Sequence, residues 1–186
     1  MLRSPVLIHS NKKGDLWISA ALYTALGLIL ITVILSVGMP FVNKIKERNT
    51  ILQTKNVLYE MDKLVREVEL EGIGSRRPFF VDIQEGDFLI KSLGTEEKIE
   101  WSITSENKLG IESGGSVGSS GPLIEEGNLK IQSTKVGQGY KINLWIDYKN
   151  NINIETSLKQ LKGRYNLIIE HRYSNEKNDY VEIREA

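Results

Sequence analysis

The stretch "LWISAALYTALGLILITVILSVGMPFVN", residues 16–43, carries no charged side chain and decides the organisation of this chain. As a helix, its apolar part would be about 40 Å long, which exceeds the roughly 30 Å hydrocarbon core of a bilayer. It is also longer than the apolar region of an ordinary cleavable secretory signal. A soluble domain of this size rarely encloses a helix that is apolar on every face. We therefore predict a transmembrane helix over residues 15–43 rather than a buried core helix.

The overall composition excludes several classes of function. Lys+Arg and Asp+Glu balance at 24 each, so the chain has no global basic field of the kind that nucleic-acid binding usually needs. Cysteine is absent, which removes disulfides, thiolate metal sites and a cysteine nucleophile. His9 and His171 are the only histidines, too few for a histidine metal cluster. We expect no cofactor and no nucleic-acid partner.

Residues inside the apolar stretch predict how the helix behaves in lipid. Hydroxyl side chains can bond to carbonyl groups one turn back, which makes them tolerable there; they are Ser19, Thr24, Thr32 and Ser36. Small side chains permit close approach of a second helix, and we predict a packing surface of Ala20, Ala21, Ala25 and Gly27. Gly38-Met39-Pro40 should interrupt or bend the helix. Balanced basic residues on the two flanks leave the orientation open.

Beyond residue 43, an amphipathic helix is predicted over residues 44–74, continuing a helix that begins at about Asp15. Its apolar stripe has three- and four-residue spacing and consists of Ile51, Val57, Leu58, Met61, Leu64, Val65 and Val68. The opposite side is charged, and Asp62–Arg66 is interpreted as a solvated pair. Gly72-Ile73-Gly74, followed by Pro78, should end the helix. The stripe packs either on the chain's own sheet, which we favour, or in a coiled coil.

Residues 75–186 have the two-residue periodicity of short strands. The predicted strands are "FFVDIQ", "DFLIKS", "KIEWSIT", "LKIQST", "YKINLWIDY", "INIET", "YNLIIEHRY" and "YVEIRE". Residues 85–87 and 126–128 are interpreted as hairpin turns, residues 110–121 as a Gly/Ser-rich loop and residues 156–160 as a short helical turn. The predicted fold class is α+β, with the long N-terminal helix packed on a C-terminal antiparallel sheet.

No pattern in the β-rich region predicts catalysis. Asp147 and Glu155 are the best candidates for an acid–base pair, but no cleft pattern accompanies them. His171 is interpreted as a surface histidine on an alternating strand rather than a general base. The Gly/Ser-rich loop lacks the Lys-Ser/Thr that closes a phosphate-binding loop. We expect the protein not to be an enzyme; a membrane-tethered enzyme is the least favoured alternative.

A basic leader, residues 1–14, precedes the apolar helix and ends in Lys12-Lys13-Gly14, followed by Asp15. This order of leader, apolar helix, amphipathic continuation and β-rich domain resembles type IV pilin-like proteins with class III signal peptides, particularly the archaeal type. The resemblance implies that a membrane aspartyl peptidase cuts between Gly14 and Asp15. Asp15 would then be the first mature residue, and Ser19 stands where the bacterial type has a glutamate. In either form of the chain, a carboxylate at Asp15 is expected to cap the helix N-terminus.

The resemblance also implies partners and a location. The expected partners are membrane lipid, the prepilin-type peptidase, and further copies or related subunits that pack through the apolar helix into a filament or pseudopilus. The β domain would lie outside the cell membrane, which the single helix spans. The alternative is an unprocessed single-pass protein whose β domain binds a ligand or protein partner.

Overall fold

The computed structural model describes residues 12–92, 96–106, 117–148 and 152–186, with side chains from residue 17 onward. The chain divides into two compact units, residues 1–43 and 44–186. One helix, α1 (Lys12–Glu71), provides the described residues of the first unit and the start of the second. Because α1 already includes Lys12, Asp15 lies within its first turn and is not the N-cap that we predicted. A first-turn carboxylate still interacts favourably with the helix dipole.

Helix α1 continues through Pro40, so the predicted interruption at Gly38-Met39-Pro40 is wrong. Proline has no backbone N–H and removes one hydrogen bond of the helix. The residues before and after it remain helical, because the long apolar run on one side and the amphipathic run on the other both favour the same structure.

In the second unit, the amphipathic part of α1 packs on a β-sheet, as the sequence predicted. The side chains of Leu58, Met61, Val65 and Val68 are fully buried against the core of the sheet. The flanking Ile51, Val57 and Leu64 are partly buried against the same core. The apolar stripe is therefore covered by the chain's own sheet and is not the seam of a coiled coil.

The sheet has eight strands in the order β3-β4-β5-β2-β1-β7-β8-β6. Their bounds are β1 Arg76–Lys91, β2 Lys98–Ser105, β3 Ile124–Glu126, β4 Leu129–Val136, β5 Gly139–Asp147, β6 Ile154–Thr156, β7 Gln160–Ser174 and β8 Asn178–Glu185. All neighbouring strands are antiparallel except β6 and β8, which are parallel. The strands at both edges, β3 and β6, have three residues each, which limits the unpaired backbone they offer to another sheet.

The two faces of the sheet follow the predicted alternation. On β5 and the residue after it, Ile142, Leu144, Ile146 and Tyr148 are fully buried under α1. Trp145 lies on the opposite face and is half-buried. The alternation of apolar and polar residues therefore identified the core face correctly.

The predicted hairpin at residues 85–87 is wrong, because β1 is one continuous strand. Its pairing with β7 changes register between Ile83 and Phe88, which marks a β-bulge. Gly86 lies in this bulge with a φ of 83°. The Trp101 indole of β2 donates a hydrogen bond of 2.9 Å to the Glu85 carbonyl oxygen. A Cβ atom at Gly86 would lie 2.5 Å from the Trp101 Nε1 and 2.6 Å from the Ser102 carbonyl oxygen, so the bulge requires glycine.

We expect Gly86→Ala to destabilise the second unit far more than Gly163→Ala. Both glycines have positive φ, 83° and 93°, so alanine is strained by about 1–2 kcal/mol at each. An added Cβ at Gly163 meets no atom within 4 Å, whereas at Gly86 it collides with the backbone of β2. The collision should cost roughly 1–3 kcal/mol more. Urea unfolding of the two variants measures this difference, and equal midpoints would contradict the close packing at the bulge.

Two further turns show what the sequence pattern could and could not indicate. Gly127-Asn128 joins β3 to β4, which confirms the hairpin predicted there. Residues 156–160 contain no helical turn, so that prediction is wrong. Thr156 ends β6, and its hydroxyl donates to the Ile183 carbonyl oxygen at 2.7 Å and accepts from the Leu158 amide at 3.0 Å. These two bonds hold the segment in a non-helical path between β6 and β7.

The end of α1 confirms the predicted glycine termination and ties the helix to the sheet. Gly72 and Gly74 have φ values of 96° and 93°, as expected for residues that follow a helix. The Ser75 hydroxyl donates to the Val68 carbonyl oxygen at 2.6 Å, which satisfies one of the last carbonyls of the helix. The Gly74 amide then donates to the His171 carbonyl oxygen of β7 at 2.8 Å.

Candidate functional site: an apolar helix and its N-terminal junction

The first unit exposes the apolar side chains of α1 on every side. Trp17, Tyr23 and Val37 are 81%, 75% and 72% exposed. Mean hydropathy reaches 2.4 over an 18-residue window, and none of that window is buried. Monomeric soluble proteins rarely expose an apolar surface of this extent. In the described part of the chain, this is the one helix long and apolar enough to cross a membrane, which is consistent with a single-pass membrane anchor.

Four hydroxyl side chains in this segment were predicted to donate hydrogen bonds to the helix backbone, and three of them do so. Thr24 donates to the Ala20 carbonyl oxygen and Thr32 to that of Leu28, each at 2.8 Å. Ser36 donates to the Val33 carbonyl oxygen at 2.9 Å. These bonds lower the cost of placing a hydroxyl in lipid.

The predicted packing residues are open to a partner, but they form two strips. Ala20, Ala21 and Ala25 are exposed, and a Cβ added at Gly27 would meet no atom within 4 Å. At about 100° per residue, Ala21 and Ala25 lie one turn apart on one side of the helix. Ala20 and Gly27 lie two turns apart on another side, roughly a third of the circumference away. The small side chains of each strip would allow one neighbouring helix to approach closely.

The predicted processing residues lie at the start of α1. Lys12, Lys13, Gly14 and Asp15 all have helical backbone, so the Gly14–Asp15 peptide bond lies within the first turn. Residues 1–11 of the leader, including His9, lie outside the described residues. The first backbone amides of a helix have no intrahelical acceptor, and this end therefore opens more readily than the helix interior.

The residues considered for acid–base catalysis are not brought together. Asp147 on β5 accepts from Lys130 Nζ at 2.8 Å, and Glu155 on β6 forms an ion pair with Lys177 at 3.0 Å. β5 is third in the strand order and β6 is last, with four strands between them. Among the described residues, no three acidic, histidine or cysteine side chains are grouped as they would be to bind a metal ion.

His171 is buried, so the prediction of a surface histidine is wrong. It is 6% exposed on β7, and its Nδ1 lies 3.2 Å from the Val68 carbonyl oxygen of α1. Leu167 and Ile169 are buried on the same face of the strand. The alternation along β7 places His171 on the core face, and that signal was present in the sequence.

Asp62 is buried, so the prediction of a fully solvated Asp62–Arg66 pair is wrong; the pair belongs to a partly buried polar cluster at the edge of the core. Asp62 is 6% exposed, and its carboxylate accepts from Arg66 Nε at 3.0 Å and from Asn128 Nδ2 at 2.9 Å. The Arg66 guanidinium also lies over the Tyr148 ring, 5.7 Å from its centre. The cluster joins α1 to the β3–β4 turn and to the end of β5. The sequence predicted the contact between Asp62 and Arg66 from their helical spacing, but it did not predict the hydrogen bond from Asn128.

The Tyr148 hydroxyl is buried beside this cluster and has no hydrogen-bond partner within the described residues. Burial, and secondly the negative charge of Asp62, raise the pKa of Tyr148 well above its ordinary value of 10.0. The folded protein therefore holds the phenolic proton more tightly than the unfolded chain does. This contribution to the stability of the folded protein is fully present below the Tyr148 pKa of the unfolded chain. It is lost as the pH rises from that value through the higher pKa of the folded protein.

We expect Tyr148→Phe to be neutral or stabilising by up to about 1 kcal/mol at pH 7, because no hydrogen bond is lost and a buried hydroxyl is removed. Above about pH 10 the advantage of the variant should grow, since only the native protein has a phenol at position 148, whose ionisation favours the unfolded state. Chemical unfolding at pH 7 and at about pH 10.5 measures both effects. A substantial loss of stability in the variant at pH 7 would show that the hydroxyl makes a favourable contact.

Comparison of the chain with protein-family models, with curated proteins and with solved structures finds no match in any of the three. Its assignment therefore depends on its own residues and geometry: a single apolar helix consistent with a membrane anchor, followed by a mostly antiparallel β domain.

Proposed function

We propose that this protein is a membrane-anchored subunit of the type IV pilin-like class. The apolar part of α1 serves for membrane insertion and for assembly into a surface filament or secretion-type pseudopilus, and the second unit is the domain displayed outside the cell membrane. The observation that carries the proposal is the apolar part of α1, which is exposed on all sides and directly follows Lys12-Lys13-Gly14-Asp15 in the sequence. Such a helix needs lipid or other helices around it.

Assembly is supported by the two strips of small residues. In lipid, apolar side chains gain little by moving from acyl chains to another helix, so association depends on close backbone approach. Ala21 and Ala25 offer such an approach on one side, and Ala20 and Gly27 on the other. A helix with two such strips can contact two neighbours at once, as subunits in the core of a filament must.

Processing is supported by the position of the Gly14–Asp15 bond. Glycine presents no side chain that would obstruct a peptidase. In the pilin-like class the basic leader lies on the cytoplasmic side of the membrane, where the peptidase cuts. The first turn of α1 can unwind at low cost to enter a peptidase cleft. Cleavage would place the new α-amino group beside the Asp15 carboxylate, which holds that end at the membrane surface.

Gly14→Leu should abolish processing in cells that contain a prepilin-type peptidase, while leaving the β domain folded. The leucine side chain would occupy the position directly before the cut. Gly27→Leu is the matched control: it makes the same change within α1, away from the junction, and should leave processing intact. The readout is the size of the membrane-bound protein on a gel, on which the unprocessed form is larger. Normal processing of Gly14→Leu would contradict the proposed junction.

The second candidate is an unprocessed single-pass protein whose β domain binds a ligand or protein partner. One observation favours it: Ser19 stands where the bacterial type of pilin has a glutamate. In this case Gly14→Leu and Gly27→Leu both leave the protein at its full size. The two candidates share the membrane anchor and differ at the Gly14–Asp15 bond.

A further inference from the structure

The first half of β1 has a free edge. The strand order places β1 between β2 and β7, but these neighbours pair with different parts of it: β2 pairs with residues 87–91, and β7 with residues 76–83, 88 and 89. No described strand pairs with the second edge of residues 76–83. This free edge is longer than the three-residue strands β3 and β6 that end the sheet.

Hydrogen bonds at the start of β1 show which backbone groups face the free edge. The His171 amide donates to the Ser75 carbonyl oxygen at 2.9 Å, and its carbonyl oxygen accepts from the Gly74 amide at 2.8 Å, so both groups point toward β1. Backbone groups point to alternate sides along a strand, so those of Ile169 also point toward β1, where Arg77 is its partner. The residues whose backbone groups face the free edge are therefore Arg76, Pro78, Phe80 and Asp82.

The position of Pro78 agrees with this assignment. Proline has no backbone N–H, and on the free edge its absence removes no hydrogen bond from the pairing with β7. The side chains of the same four residues lie on the face of the sheet away from α1, because the residues between them are buried or partly buried. Pro78 is exposed there, and Phe80 is 59% exposed.

The two ends of the free edge carry opposite charges. Arg76 is exposed and forms no ion pair with a described residue, whereas its neighbour Arg77 pairs with Glu71. The Arg76 carbonyl oxygen accepts from Arg77 Nη1 at 3.0 Å and has a second lone pair. Asp82 accepts from Arg164 Nε at 3.1 Å through one carboxylate oxygen, so its other oxygen can accept from a second arginine.

These features make the free edge complementary to a second copy of itself. In an antiparallel pair centred on Phe79, Arg76 of one copy lies opposite Asp82 of the other, and Pro78 lies opposite Phe80. Arg76 and Asp82 then exchange two backbone hydrogen bonds and bring opposite charges together. The Phe80 amide donates to the Pro78 carbonyl oxygen, and the two rings pack against each other. Two-fold symmetry makes each of these contacts occur twice.

We propose that this free edge binds a second copy of the chain, so that two sheets join through β1. Strand β1 runs back along α1, because it follows the end of the helix and Glu85 near its bulge pairs with Lys46 at 2.5 Å. Antiparallel pairing therefore gives the two α1 helices opposite directions, which fits copies carried by two facing membranes. The contact uses the second unit alone and is independent of processing at Gly14 and of packing in the apolar part of α1.

The test is the aggregation of phosphatidylcholine vesicles that carry the full-length protein, followed by turbidity. We expect the native protein to aggregate the vesicles. Arg76→Asp and Asp82→Arg should each slow aggregation about tenfold, because each places two pairs of like charges across the paired strands. Mixing Arg76→Asp vesicles with Asp82→Arg vesicles should restore the native rate, since each contact then has one acidic and one basic side chain. This recovery would also show that both variants are folded.

The matched control is Lys141→Asp, a change from a basic to an acidic side chain at an exposed position of β5, which should leave the native rate unchanged. The proposal is overturned if vesicles with the native protein aggregate no faster than protein-free vesicles, or if either single variant aggregates at the native rate. It is also overturned if the mixture stays as slow as the single variants, or if Lys141→Asp slows aggregation equally.

Discussion

Replacing Leu28 and Ile31 together by arginine should release the protein from membranes. Both side chains lie near the middle of the apolar segment and are 61% and 56% exposed. An arginine at the centre of a membrane helix costs about 2.5–3.5 kcal/mol on translocon-insertion scales, so the pair costs roughly 5–7 kcal/mol. Flotation and alkaline extraction of cell membranes measure the outcome. The native protein should stay with the membrane fraction, and the double variant should appear mainly in the soluble or aggregated fraction.

The control for this result is a matched pair of arginines elsewhere on α1. Leu52 and Leu70 are 49% and 82% exposed in the second unit. Leu52→Arg together with Leu70→Arg adds the same charge outside the apolar segment, so this variant should remain membrane-bound. If the Leu28/Ile31 variant extracts like the native protein, residues 17–42 are not the anchor.

Met61→Asp should unfold the second unit. Met61 is fully buried between α1 and the sheet, and among the described residues no lysine or arginine side chain is buried with it. An unpaired carboxylate there must either stay charged in an apolar environment or take up a proton, and it also leaves a cavity. The combined cost should exceed about 4–5 kcal/mol, a large part of the 5–15 kcal/mol by which most domains are stable.

Limited proteolysis and far-UV circular dichroism of the protein in detergent measure this effect. Leu70→Asp, on the same helix but 82% exposed, is the control and should retain the native protection pattern. A Met61→Asp protein as protease-resistant as the native one would mean that α1 does not form part of the core.

The architecture was predictable because it depends on patterns that are local in the sequence. The uncharged run of residues 16–43 and the stripe from Ile51 to Val68 each specify a helix and its environment. The alternation through residues 142–148 specifies a strand with one buried face. None of these inferences needs knowledge of a distant residue.

Two of the errors arose where distant residues decide. Glu85-Gly86-Asp87 has the composition of a turn, but the segment forms a bulge within β1. There the Trp101 indole of β2 donates a hydrogen bond to the Glu85 carbonyl oxygen. Asp62 and Arg66 have the spacing of a surface ion pair, but Asp62 is buried and its carboxylate also accepts a hydrogen bond from Asn128, which is distant in the sequence. His171 is different: its place on the core face follows from the alternation of β7, and only the general preference of histidine for surfaces led to the wrong prediction.

The proposed function depends most of all on the chemistry of the Gly14–Asp15 bond, because a second protein would have to act there. The sequence indicates this junction through Lys12 and Lys13 before it and the apolar helix after it. The structure adds that the bond lies in the first turn of α1, where unwinding is least costly.

The intact mass of the protein purified from its native membrane tests the central claim most directly. A pilin-like subunit is predicted to have the mass of a chain that begins at Asp15, with residues 1–14 removed. A mass that corresponds to a start at Met1 or Leu2 would contradict the claim and leave the unprocessed single-pass protein as the better description.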